Sequence, residues 1–154
     1  MLKRLKRCAA VVLFVAACAA GSAHCRGGEQ RVDPDAELQS FAQAELTEGQ
    51  RLLNAREPAL EERVRLARLH FANAEAVLVL PRDARTLAEL QVWLGIAEMQ
   101  LAQASQTPGP QFERARDYFR VARELFASVQ ATSEVEGVDH LLRRSADEEA
   151  HLRP

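Results

Sequence analysis

Lysine is almost absent from this sequence. Its two copies, Lys3 and Lys6, lie in the first seven residues, and the sixteen basic residues after them are all arginine. Cysteine is equally confined: Cys8, Cys18 and Cys25 are the whole set, so no disulfide staples the rest of the chain. Aromatics make up 5% of the residues, and there are only 7 glycines and 6 prolines, several of them at element edges. Strand-favouring composition is missing, while Ala, Leu, Arg and Glu dominate, and these are helix formers. The fold class is therefore all-α.

Other absences bear on function. Without the first 23 residues, sixteen arginines face 22 acids, a net charge near −6 with no basic block. Nucleic-acid affinity rests on clustered positive charge, so that partner class is excluded. No glycine-rich phosphate loop occurs within a helical pattern; Gly27-Gly28 lies ahead of it. No Gly-x-Ser-x-Gly frame holds a nucleophile. His24, His70, His140 and His151 share no metal-ligand spacing, and Asp139-His140 with Glu148, Glu149 and His151 is only a weak metal pattern. The sequence thus predicts a non-enzymatic protein without cofactor or metal.

What is present begins with an address. Met1 to Arg7 is positively charged, Cys8 to Ala20 is an apolar run of thirteen residues, and Gly21-Ser22-Ala23 follows. A charged start, a short apolar run and small residues make an export signal over 1–23. The run falls short of the roughly 20 apolar residues that a spanning helix needs. Val15-Ala16-Ala17-Cys18 resembles the bacterial lipoprotein signal. The resemblance implies cleavage before Cys18 and lipidation of that residue, hence an outer-membrane or periplasmic address with the membrane engaged through an N-terminal lipid. Gly21-Ser22-Ala23 also suits ordinary cleavage before His24, which leaves the protein simply secreted. Lipidation at Cys25 is disfavoured by the bulky His24. Residues 24–32 are polar and aperiodic and read as a flexible tether.

A helical domain is expected over 33–154. Asp33-Pro34-Asp35 opens a helix over about 34–55, with Leu38, Phe41, Ala42, Leu46, Leu52 and Leu53 on its apolar side. Pro58 opens a second, reaching about residue 80, in which Leu60, Val64, Ala67, Phe71, Ala74 and Leu78 form one stripe. Asp83 is expected to cap a third, carrying Leu87, Leu90, Leu94, Ala97 and Leu101. The turn Gln106-Thr107-Pro108-Gly109-Pro110 precedes a fourth, with Phe112, Ala115, Phe119, Ala122 and Phe126 inward. Ser133-Glu134-Val135-Glu136 reads as a capping box for a weaker fifth, fraying from about residue 147.

The chain repeats itself. Ala67-x-x-x-Phe71-x-x-Ala74 returns 48 residues later as Ala115-x-x-x-Phe119-x-x-Ala122. Ala36-Glu37-Leu38-Gln39 returns 52 residues later as Ala88-Glu89-Leu90-Gln91. Two tandem antiparallel hairpins, 34–80 and 83–130, followed by a C-terminal capping helix account for both echoes. The Ala-Phe-Ala spacing and the Leu94-Gly95 pair resemble the tetratricopeptide-repeat class, although the period of about 50 residues exceeds that family's. The resemblance implies a scaffold that binds a protein or peptide partner in the envelope. Arg68, Arg116, Arg120 and Arg123 are the candidate partner-binding residues, a basic strip for an acidic peptide. The alternative is an envelope lipoprotein that self-associates without a separate ligand, and the sequence leaves the oligomeric state open.

Overall fold

The computed structural model describes residues 33–152. The export signal over 1–23, Cys18 within it, and the tether over 24–32 lie outside the described residues. Among the described residues five helices follow one another: α1 Pro34–Asn54, α2 Leu60–Glu75, α3 Ala84–Ala104, α4 Gly109–Ser128 and α5 Thr132–Leu152. The all-α expectation of two hairpins and a final helix holds.

Local chemistry sets several of the ends. At the start of α1, Asp33 accepts a hydrogen bond from the Asp35 N–H at 3.0 Å, and Pro34 occupies the first helical position. The far end of α1 is closed from outside, since the Arg63 guanidinium of α2 reaches the carbonyls of Leu53 and Ala55. α4 ends in a left-handed turn at Gln130, φ 57°, where Ala131 N–H bonds Phe126 C=O at 2.9 Å. That six-residue closure is a Schellman motif, with a glutamine where glycine is usual.

Hydrophobic stripes drive the packing. Val64, Ala67, Phe71 and Ala74 of α2 are buried against Ala42, Leu46, Leu52 and Leu53 of α1. This first core also takes in Leu90 and Ala97 of α3. A second core gathers Phe112, Ala115, Phe119, Ala122 and Phe126 of α4 with Ala88, Met99 and Ala102 of α3, and takes in Val138 of α5. Each hairpin thus buries its open side on the next helix along the chain, and α5 does this for the second hairpin. A fully buried phenylalanine contributes about 1.5–3 kcal/mol of transfer free energy to such a core.

The structure departs from the sequence reading at four helix ends. α2 stops at Glu75, and residues 76–83 form turns that leave Val79 and Leu80 exposed. Asp83 holds the N-cap position of α3 as expected, but its side chain makes no cap bond: its buried carboxylate accepts from Val79 N–H at 2.8 Å and Gln39 Nε2 at 3.1 Å, and pairs with Arg82. Burial alone would raise the Asp83 pKa, but the bonds from Val79, Arg82 and Gln39 outweigh it and hold the group below its ordinary value. Ser133 is no N-cap, because α5 starts at Thr132 and the Ser133 hydroxyl turns to Glu134. Nor does α5 fray at 147; it is helical to Leu152, with Ser145 and Glu149 buried.

Candidate functional site

Both hairpins are built around a glycine facing a phenylalanine ring. A Cβ on Gly49 would stand 2.3 Å from Phe71 Cε1, and one on Gly95 would stand 2.4 Å from Phe119 Cε1. Only a residue without a side chain lets each ring lie on the backbone of the partner helix. The two glycines are 46 residues apart and the two rings 48 apart, so the hairpins match in this register. The 52-residue echo of Ala36–Gln39 in Ala88–Gln91 does not follow it: Ala36 and Leu38 are exposed, whereas Ala88 and Leu90 are fully buried.

In this register Glu98 takes the place that Leu52 holds in the first hairpin. It is 1% exposed, a carboxylate in a core position. Arg68 from α2 reaches its Oε1, and Arg114 Nε from α4 reaches its Oε2 at 3.0 Å. One buried acid on α3 therefore ties together the second helices of both hairpins. Above it lies a cleft of about 400 Å³ lined by Arg68, Ala72, Glu75, Leu94, Arg114 and Tyr118. Glu98 fixes both guanidiniums at the cleft wall.

A second groove, of about 260 Å³, runs between α3 and α5 with Val92, Trp93, Val138 and Leu141 in its walls. At its rim burial pushes the Glu89 carboxyl above its usual range; Arg85 opposes this and Glu134 adds to it. Glu134 itself is held low by its Ser133 and backbone hydrogen bonds and by Arg85.

The four arginines singled out in the sequence divide between two places. Arg68 belongs to the Glu98 cleft. Arg116, Arg120 and Arg123 run down α4: Arg116 Nη1 bonds Glu149 Oε2 at 2.6 Å, Arg120 Nη1 bonds Asp117 at 2.6 Å, and Arg123 Nε bonds Asp139 at 2.8 Å. Arg116 and Arg123 thereby tie α5 to α4, Arg116 at its polar end. His70 lies 3.2 Å from Glu45 Oε2, which also accepts from Asn73 at 2.7 Å, so it joins α1 to α2.

Sequence reasoning passed over Glu98 and Arg114. The available signal was an acid beside the apolar stepping of α3, at the position where the first hairpin carries Leu52. Among the described residues no group of three or more His, Cys, Asp and Glu side chains gathers as a metal site, and no helix is long and apolar enough to cross a membrane. The chain matches no protein-family model, no curated protein and no solved structure.

Proposed function

We propose that this chain is a non-enzymatic interaction or scaffold module of the bacterial cell envelope, built on the tetratricopeptide-repeat plan and anchored by lipid on Cys18. The observation that carries this reading is the repeated glycine–phenylalanine seam, which closes each hairpin in the same register, with a cleft where α2, α3 and α4 meet. Such clefts suit an extended or helical peptide. An acidic segment is the partner chemistry, with Arg68, Arg116, Arg120 and Arg123 as its contacts. A guanidinium carries five N–H donors, and Arg68, Arg120 and Arg123 remain 41%, 60% and 47% exposed beside their carboxylate partners.

Affinity purification of the tagged full chain from the source envelope tests the proposal. A protein captured by the wild type and lost with Arg68→Ala plus Arg120→Ala supports it. An identical capture set from both forms overturns the arginine contacts, and no specific capture overturns the scaffold role. A second reading, self-association without a separate ligand, is favoured by Leu69 and Val121, which stand 53% and 43% exposed on α2 and α4. Light scattering across a concentration series decides it, because a monomer throughout removes that reading.

A further inference from the structure

Exposed apolar residues are unevenly placed. Eight large apolar side chains are clearly exposed among the described residues: Leu38, Phe41, Leu69, Val79, Leu80, Val121, Val129 and Leu152. Five of them lie at one tip of the hairpin stack. The antiparallel register set by Gly49–Phe71 and Glu45–Asn73 brings Phe41 and Leu38 level with residues 77–82. Two polar links confirm the level: Gln39 Nε2 donates to Asp83 at 3.1 Å, and Arg82 pairs with Asp35 at 2.7 Å. Val79 and Leu80, 58% and 57% exposed, project from the α2–α3 turn at this tip. Val129 joins them at the α4–α5 turn, beside the pairing of Arg85 with Glu134. The opposite tip has the turns Ala55–Ala59 and Ser105–Pro108, with Arg56, Glu57, Gln106 and Thr107 outward, and a lone exposed Leu152.

The apolar tip is also where the chain enters the domain, at Asp33. From Cys18 to that point lie only fourteen residues, Ala19 to Val32, which reach at most about 50 Å even when fully extended. Helix α1 is about 32 Å long, so a lipid on Cys18 attaches at this tip and keeps it nearer to a bilayer surface than the other. We infer that the tip formed by Leu38, Phe41, Val79 and Leu80 is an interfacial docking surface for a lipid bilayer. The inference rests on the lipid-anchored reading above and adds to it a second, weaker membrane signal. The lipid fixes the chain to the bilayer, and apolar side chains seated at the headgroup level add buried apolar area and orient the domain on the surface. Charge plays little part. Arg82 is engaged by Asp35 and Asp83, and Arg85 by Glu134, so the tip carries no basic excess to draw it to anionic headgroups.

Hydrogen exchange on the mature protein, isolated from its own envelope, with and without phosphatidylcholine vesicles tests this. Amides in 34–41 and 76–83 are expected to exchange severalfold more slowly with vesicles, while those in 104–110 are unchanged. Val79→Ser with Leu80→Ser alters only exposed side chains and should abolish most of that slowing without shifting Tm. Uniform slowing, slowing at 104–110, or none at all overturns the inference. So does slowing that follows protein concentration in the absence of lipid, which assigns the tip to a second copy of the chain. The mass of the mature N-terminal peptide reports acylation separately, so absence of the anchor and absence of docking are different results.

Discussion

The Phe119 ring lies against α3 at Gly95 so closely that a Cβ on that residue would stand 2.4 Å from Cε1 and 2.7 Å from Cδ1. Alanine normally stabilises a helix interior over glycine by about 1 kcal/mol. At Gly95 and Gly49 the sign inverts, because the added methyl must displace a fully packed ring at a cost of about 1–3 kcal/mol or more. Gly95→Ala and Gly49→Ala should therefore each lower the urea midpoint. Gly137 has open space around its Cβ position and is the control: Gly137→Ala should raise the midpoint by roughly 0.5–1 kcal/mol equivalent.

Removing the ring should be costly as well. Phe71 is 1% exposed and Phe119 fully buried, so either to alanine should cost about 3–5 kcal/mol. The pairing itself is read by a double-mutant cycle. In a Phe119→Ala background the penalty of Gly95→Ala should shrink, with a coupling of about 0.5–3 kcal/mol. Additive losses would mean that the ring and the glycine do not constrain one another.

This seam shows why part of the fold was legible in the sequence and part was not. Phe71 and Phe119 announce themselves through the three-and-four stepping of large and small apolar residues, which a helix must bury. Gly49 and Gly95 carry no hydrophobic signal, and so an accidental identity at Ala36–Gln39 was a more visible guide to register than the glycines that set it. Leu38 and Phe41 were read as inward-facing from the stripe alone, yet both stand 38% exposed. Among the described residues no second helix covers that side of α1. Glu98 and Glu149 were illegible for a related reason. A carboxylate in a helix reads as solvent-facing until the arginines of other helices, Arg68 with Arg114 and Arg116, are brought to it by the tertiary fold.

Glu98 offers a direct comparison between the hairpins, since Leu52 fills the same place in the first. Glu98→Leu should fold with little loss or with a gain, because a hydrophobic replacement for a buried ion pair is often neutral or stabilising by about 1–4 kcal/mol. The freed Arg68 and Arg114 side chains are 41% and 50% exposed and can return to water. Removing the cations instead leaves a carboxylate stranded in the core. Arg68→Ala with Arg114→Ala should cost about 3–5 kcal/mol. If the leucine variant proves the less stable of the two, the buried acid is not a substitute for the leucine of the first hairpin.

At Gln130 the left-handed backbone that closes α4 penalises any side chain with a Cβ. Gln130→Gly should raise stability by about 0.5–1 kcal/mol, with the denaturation slope unchanged. Gln130→Val, whose branched Cβ tolerates that region least, should lower it.

Two carboxylates should bend the pH dependence of stability in opposite directions. Asp83 has a folded pKa below its ordinary 3.8, so its contribution is complete above that value and is lost as pH falls through the lower folded one. Glu89 is raised above its ordinary 4.5, so the folded state holds its proton more tightly. Stability from that group is present in acid and declines as pH rises through the folded pKa. Asp83→Asn should therefore flatten the acid limb of a denaturation-midpoint profile below about pH 4 while lowering the plateau, because Val79 and Arg82 lose a charged partner. Glu89→Gln should leave the acid limb in place and raise the midpoint near neutrality, where the charged form is the disfavoured one. Matching profiles for the two variants would show that the turn at Val79–Asp83 and the α3–α5 rim do not hold their carboxylates as the geometry requires.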